Sequence, residues 1–311
     1  MNIASKIREN VGRVILGKDE IIDLLMTALI SGGHALLEDV PGVGKTTMAK
    51  ALARSISCDF KRIQFTPDLL PTDLTGINYF NQKAGEFEFR KGPLFTNILL
   101  ADEINRATPR TQSSLLECME ERQISVEGDT HKLEKPFFVL ATQNPIENYG
   151  TFPLPEAQLD RFLMKVKMGY PERAEEQKIL DLFDKQSPLE DLVAVCSSED
   201  IIHMQQQYGE VTVNKDVSAY ILDIIEATRN HDSIELGASP RASIALYKAA
   251  QAYAYINGRK YVRPDDIIYL APTILSHRII LKGLSKHRKT EAAILINEII
   301  SDLPVPVEKM Q

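Results

Sequence analysis

The stretch LLEDVPGVGKTTMAK, Leu36 to Lys50, decides the reading of the fold. A short apolar run enters a loop built on Gly42 and Gly44, and the loop opens a helix through Thr46, Thr47 and Met48, the strand, loop, helix order of a phosphate-binding site. Without a Cβ at Gly42 and Gly44, backbone N–H groups can approach phosphate oxygens. Lys45 is placed to neutralise the β and γ charges, and the Thr46 hydroxyl to hold Mg²⁺. The nucleotide-binding candidates are therefore Asp39, Val40, Pro41, Gly42, Val43, Gly44, Lys45, Thr46 and Thr47. Asp39 stands where the usual pattern begins with glycine. It is expected to adopt the left-handed backbone that glycine would supply, with its side chain pointing outward. Even a solvated carboxylate about 4 Å from a phosphate charge costs only ~1 kcal/mol in water, so the substitution does not veto a nucleotide.

Around that loop, short apolar runs alternate with helical patterns up to about residue 170, the rhythm of βαβ units on a parallel sheet. Five strands are expected: HALLE from His34, KRIQF from Lys61, NILLAD from Asn97, PFFVLAT from Pro136 and MKVKM from Met164. Nearly all lack polar alternation, as strands covered on both faces do. The fold class is thus α/β, a five-stranded parallel sheet between helices in residues 1–170. An all-helical second domain is expected over 171–311, where helical periodicity dominates and no interior strand is evident. Ser239-Pro240 and Pro264-Asp265-Asp266 read as helix starts and Gly258 as a stop. Two β-hairpins are expected to interrupt the rhythm, near Gly76–Gly92 and near Arg122–Lys135.

In the run ILLADE, Asp102 and Glu103 fall where a buried strand emerges, and ligands of open α/β sheets bind beyond the carboxyl ends of strands. Asp102 is the second candidate metal ligand and Glu103 the candidate general base for an attacking water. VLATQNP repeats the arrangement on the next strand, leaving Asn144 to bond the γ-phosphate or the water. Ser239 as cap and Pro240 as first residue put Arg241 in a helix's first turn, the wrong sign for the helix dipole. An anionic partner is implied: a nucleotide between the two domains, or a nearby Asp or Glu. Arg161 lies on a segment that cannot easily fold back to its own phosphate loop and is expected to serve a neighbour's.

The chain of 311 residues is 44% hydrophobic and 25% charged with a net charge of −7, which suits a folded soluble protein and disfavours a surface dedicated to nucleic acid. Cys58, Cys118 and Cys196 have no metal or redox spacing, and no apolar run approaches the ~20 residues of a membrane-spanning helix. A cytoplasmic location is expected.

EDVPGVGKT, GPLFTNILLADEINRATPRTQSSLLECMEERQISV, ATQNPIENYGTFPLPEAQLDRF and SPRASIAL together resemble the MoxR family of AAA+ ATPases, over nearly the whole chain. The resemblance implies Walker A roles for Lys45 and Thr46, Walker B roles for Asp102 and Glu103, sensor 1 at Asn144, an arginine finger at Arg161 and sensor 2 at Arg241. It makes Asp39 usual at its position and places adenine contacts near Val14–Glu20. It further implies ATP and Mg²⁺, a ring (a hexamer), hairpins facing a pore or client, partners with von Willebrand factor A domains, and chaperone-like maturation of protein complexes. Alternatives are a slow nucleotide-dependent switch or scaffold, and a motor subunit like that of magnesium chelatase or a DNA-translocating ring.

Overall fold

The computed structural model describes residues 2–40, 42–144, 150–183, 188–283 and 289–306. Two helices lead, α1 (Ile3–Gly12) and α2 (Asp19–Ile30), the first capped by the Asn2 side chain, which accepts from Ser5 N–H at 2.8 Å. There follow β1 (Ala35–Glu38), α3 (Lys45–Ser55), β2 (Phe60–Gln64) and α4 (Pro71–Thr75). A first hairpin is formed by β3 (Gly76–Asn81) and β4 (Glu86–Lys91), and β5 (Ile98–Asp102) and α5 (Pro109–Glu121) come next. The second hairpin is β6 (Gln123–Val126) with β7 (Asp129–Lys132), followed by β8 (Phe138–Gln143), α6 (Glu156–Leu159) and β9 (Met164–Val166). The remainder comprises α7 (Arg173–Phe183), α8 (Ser198–Gln207), α9 (Lys215–Asn230), β10 (Ile234–Leu236), α10 (Pro240–Ile256), α11 (Pro264–Leu275), β11 (Ile280–Leu281) and α12 (Lys289–Asp302).

All five expected strands form one parallel sheet in the order β2-β5-β8-β1-β9. The pleat explains the unbroken apolar runs, since successive side chains enter different cores. Ala35, Leu37, Ile98, Leu100, Phe138 and Leu140 join one buried cluster, with α1–α3 and the helices from α8 onward. Leu36, Leu99, Ala101, Val139 and Ala141 join the other, under α5. β2 departs from the expectation of full cover: as an edge strand it leaves Lys61, Arg62 and Gln64 exposed. Its polar residues are thereby free to reach the end of β5.

After residue 170 the chain is mainly helical, and α10 and α11 begin at Pro240 and Pro264 as their sequence signals require. Gly258, at φ 72°, terminates α10 in the left-handed conformation, with its N–H bonded to the Tyr255 carbonyl. One expectation fails here. β10 and β11 pair as an antiparallel ribbon, but they span three and two residues, too short to print an alternating pattern.

Candidate active site

The carboxyl ends of β1, β8 and β5 lie side by side and bring the loop after Glu38, the Gln143-Asn144 pair and the Asp102-Glu103 pair to one edge of the sheet. Buried contacts fix that edge. Lys165 pairs with Glu38 at 3.0 Å across β9 and β1, and Gln143 donates to the other Glu38 oxygen at 3.4 Å. Asp39 N–H donates to the Gln143 carbonyl at 3.2 Å, tying the loop's first residue to β8.

Gly42 and Gly44 take φ of 86° and 90°, the left-handed region that favours glycine, and an added Cβ at either would meet nothing within 4 Å. That open cradle faces the N-terminus of α3, which starts at Lys45 with no side chain capping it, so its first N–H groups suit a phosphate. Lys45 donates to the Asp39 carbonyl at 2.9 Å. Burial lowers the pKa of Lys45, while Asp102, Asp39 and Glu103 pull it back up, which marks all three carboxylates as its electrostatic neighbours. Pro41 lies outside the described residues.

Asp39 itself differs from expectation: it is not among the residues with positive φ, and its carboxylate turns onto the backbone. One oxygen accepts from Val40 N–H at 2.8 Å and the other from Gly169 N–H at 2.6 Å, joining the loop to the segment after β9. The residue that does sit in the left-handed region is Glu103, at φ 56° and ψ 51°. Its N–H is held by the Thr142 hydroxyl at 2.8 Å, and its carboxylate accepts from Gln64 at 2.6 Å and Arg106 at 3.1 Å. Asp102 accepts from Thr142 on one oxygen and from Arg62 on the other, each at 2.6 Å. Asn144 is buried at the end of β8, between the two motifs.

Among the described residues no cluster of three or more His, Cys, Asp and Glu could hold a metal on its own. Thr46 and Asp102 offer hard oxygen donors, which fits Mg²⁺, an ion that takes one or two protein oxygens and completes its shell with phosphates and water.

Arg161 and Arg241 are elsewhere. Leu163 N–H bonds the His34 carbonyl just before β1, so Arg161 lies at the amino end of the sheet, roughly 13 Å of strand away from the loop. It pairs with Glu120 of α5 at 3.2 Å, and Arg241 pairs with the same Glu120 at 3.3 Å and with Asp160 at 3.8 Å. The anionic partner implied for Arg241 is therefore a pair of carboxylates in this structure, not the chain's own phosphate loop. Arg62, Gln64 and Thr142 escaped the sequence reading. Arg62 and Gln64 stand in KRIQF, a strand taken as covered, and Thr142 directly precedes the Gln143-Asn144 pair.

A sheet in this order, with a phosphate loop after β1, an acidic pair after β5 and a polar pair after the strand between them, defines an AAA+ ATPase. Residues 34–164 match the model of the ATPase family associated with various cellular activities (AAA), and residues 226–299 match that of the AAA lid domain. The chain is 40% identical over 305 residues to chaperone MoxR1 of Mycobacterium tuberculosis, covering 95% of this chain and 80% of that protein. It is 53% identical over 307 residues to an uncharacterised Bacillus subtilis protein, YeaC, covering 99% and 96%. It also matches a crystal structure assigned as an ATPase from Cytophaga hutchinsonii, with a TM-score of 0.90 and 39% identity over 98% of this chain and 96% of that one. The chain belongs to the MoxR family of AAA+ ATPases. No described helix is long and apolar enough to cross a membrane.

Proposed function

We propose that this protein hydrolyses ATP at sites shared between neighbouring subunits and uses the cycle to remodel or mature other protein complexes in the cytoplasm. The observation that carries the reading is the separation of the two halves of the site. The phosphate loop, Asp102, Glu103 and Asn144 lie at one end of the sheet, whereas Arg161 and Arg241 meet on Glu120 at the other. Head-to-tail contacts that close into a ring, a hexamer in this reading, set one subunit's arginines against the next subunit's loop.

Residues 1–170 then act as the nucleotide-binding core and 171–311 as the lid. The N-terminus of α3 receives the phosphates, and Lys45 exchanges the Asp39 carbonyl for phosphate oxygens. Thr46 and Asp102 would hold Mg²⁺, which when bound neutralises charge on the phosphates. Arg62 leaves Asp102 as that happens, Glu103 takes the proton of the attacking water, and Asn144 orients the water. Arg161 and Arg241 of the adjoining subunit stabilise the charge that develops on the transferred group. Adenine falls to the Val14–Glu20 segment, which meets the segment after β9 where Lys18 donates to the Tyr170 carbonyl at 3.0 Å.

The two hairpins suit client contact as one unit. Phe89 of β4 stacks on His131 of β7 at 4.4 Å, and Asn78 bonds Glu127 at 2.8 Å. At the outer end the rings of Phe80 and Phe87 pair edge to face, centroids 5.3 Å apart, while staying exposed. The name of the M. tuberculosis relative, a chaperone, agrees with a protein client. Partners bearing von Willebrand factor A domains complete the reading.

A slow switch is the second reading. It is favoured by the resting contacts of Asp102 with Arg62 and of Glu103 with Gln64 and Arg106, which occupy both acids. Mg-ATP binding and turnover, measured on the full chain and on Glu103→Gln, test both. The remodeller requires that Glu103→Gln keep Mg-ATP affinity and lose about 10² or more in turnover. Turnover of the full chain that is near zero and indifferent to clients selects the switch. Failure to bind Mg-ATP sinks both.

A further inference from the structure

Arg278, between α11 and β11, is a charged side chain only 3% exposed, and no motif in the sequence points to it. All five of its N–H donors are used. Nε donates to the Asp160 carboxylate at 2.6 Å. Nη2 donates to the main-chain carbonyls of Phe162 at 2.7 Å and Asp160 at 3.2 Å. Nη1 donates to the Leu163 carbonyl at 2.9 Å and to the Ile274 carbonyl. Beside it, buried His277 donates from Nε2 to the same Phe162 carbonyl at 3.0 Å. Apart from that of Ile274 in α11 itself, the main-chain oxygens so gripped belong to residues 160, 162 and 163, on both sides of Arg161.

We infer that Arg278 is a positioning residue for the shared active site: it fastens the backbone that carries Arg161 to the lid, so that the arginine lent to the neighbour is held by the lid as well as by the sheet. This rests on the shared-site reading above. The chain of contacts is continuous. Asp160 takes Arg278 on one oxygen and Arg241 of α10 on the other, and Arg241 and Arg161 meet on Glu120. Both arginines are thus referenced to lid elements, Arg161 through its backbone and Arg241 by residence on α10. Besides this grip, four main-chain bonds hold the segment: Asp160 N–H to the Glu156 carbonyl, Arg161 N–H to the Gln158 carbonyl and Phe162 N–H to the Leu159 carbonyl within the turn, and Leu163 N–H to the His34 carbonyl at the edge of β1. The planar, five-donor fork is what matches this acceptor set. A lysine, with three donors on a point charge, cannot span it.

The test is Arg278→Lys in the full chain, assayed alone and mixed with Lys45→Ala. The latter has a defective loop but intact arginines to lend. Positioning requires Arg278→Lys to lose at least about tenfold in kcat with KM for ATP within about twofold, because displacing a group required in the transition state lowers turnover and leaves ground-state binding. It also requires turnover to return in the mixture, since a sound Arg278→Lys loop then meets a sound neighbouring arginine. Parental turnover in Arg278→Lys overturns the inference. So does a loss that the mixture does not rescue while Arg161→Ala, mixed with the same Lys45→Ala protein, is rescued; that result places the defect in the chain's own loop. If Arg161→Ala is not rescued either, the shared-site reading falls and this inference with it. Should Arg278→Lys not fold, Asp160→Asn, which removes the anchoring charge at constant shape, is judged by the same outcomes.

Discussion

Arg161 and Arg241 hold the two oxygens of a single carboxylate, that of Glu120, at 3.2 and 3.3 Å. The pairing joins the core segment before β9 to the first turn of α10, and it occupies both guanidinium groups. Glu120 is partly exposed, so the pair contributes little to stability, about 1 kcal/mol or less. Its larger effect is on availability. Glu120→Gln is expected to raise basal ATP turnover by about two- to tenfold and to leave the melting temperature nearly unchanged, because an arginine released from an exposed pair is freer to meet a phosphate. Steady-state turnover set beside a thermal melt decides; a turnover equal to the parent's removes the tether from the rate.

Thr142 links the two acids of the candidate site. Its fully buried hydroxyl donates to Asp102 at 2.6 Å and accepts from Glu103 N–H at 2.8 Å. Thr142→Val keeps the shape and removes both bonds. Leaving a buried donor and acceptor unmatched costs about 1–3 kcal/mol. A misplaced Asp102 should also raise the Mg²⁺ concentration for half-maximal turnover by roughly tenfold or more, as loss of outer-shell partners of metal ligands does elsewhere. A Mg²⁺ titration of turnover reads this directly, and an unchanged midpoint takes Asp102 out of metal binding.

Stability should decline in mild acid through two buried histidines. His34 accepts from Val139 N–H on Nδ1, so its Nε2 carries the proton and donates to the Met119 carbonyl, and both nitrogens are satisfied only in the neutral ring. Burial, reinforced by the Arg122 guanidinium, pushes its pKa from 6.5 down to about 3. Burial, with Arg278 next, drives His277 well below its ordinary value too. Above about pH 6.5 neither the folded nor the unfolded chain protonates these rings, and they add no pH dependence. Below it the unfolded chain alone takes up the protons. Each histidine then removes up to about 1.4 kcal/mol of stability per pH unit until its folded pKa is reached. Denaturant melts between pH 7 and 5 should show that slope, and His34→Gln should lessen it. A stability independent of pH over this range contradicts the assignment.

The local features of this chain were legible in its sequence because their causes are local. The loop at Gly42 and Gly44, the apolar runs of the sheet and the starts at Pro240 and Pro264 each depend on residues a few positions apart. The contacts that arrange the site do not. Arg62 meets Asp102 from 40 positions away, Arg278 meets Asp160 from 118 and Arg241 meets Glu120 from 121. No periodicity encodes such pairs, and the edge position of β2, which frees Arg62 and Gln64 to reach the two acids, follows only from strand order. Asp39 shows the same limit from the other side: its position suggested a left-handed backbone, whereas the distant Gly169 N–H receives its carboxylate.

The most direct measurement is ATP turnover in mixtures of two inactive variants, Arg161→Ala and Lys45→Ala. If arginine and loop come from different subunits, neither variant turns over alone. A randomly mixed equimolar ring then regains function at about a quarter of its interfaces, those where an Arg161→Ala loop faces an intact arginine. Recovered turnover that rises with the mixing ratio toward equal amounts is the expected result. A mixture as inactive as its components, or an Arg161→Ala protein as fast as the parent, contradicts the shared site.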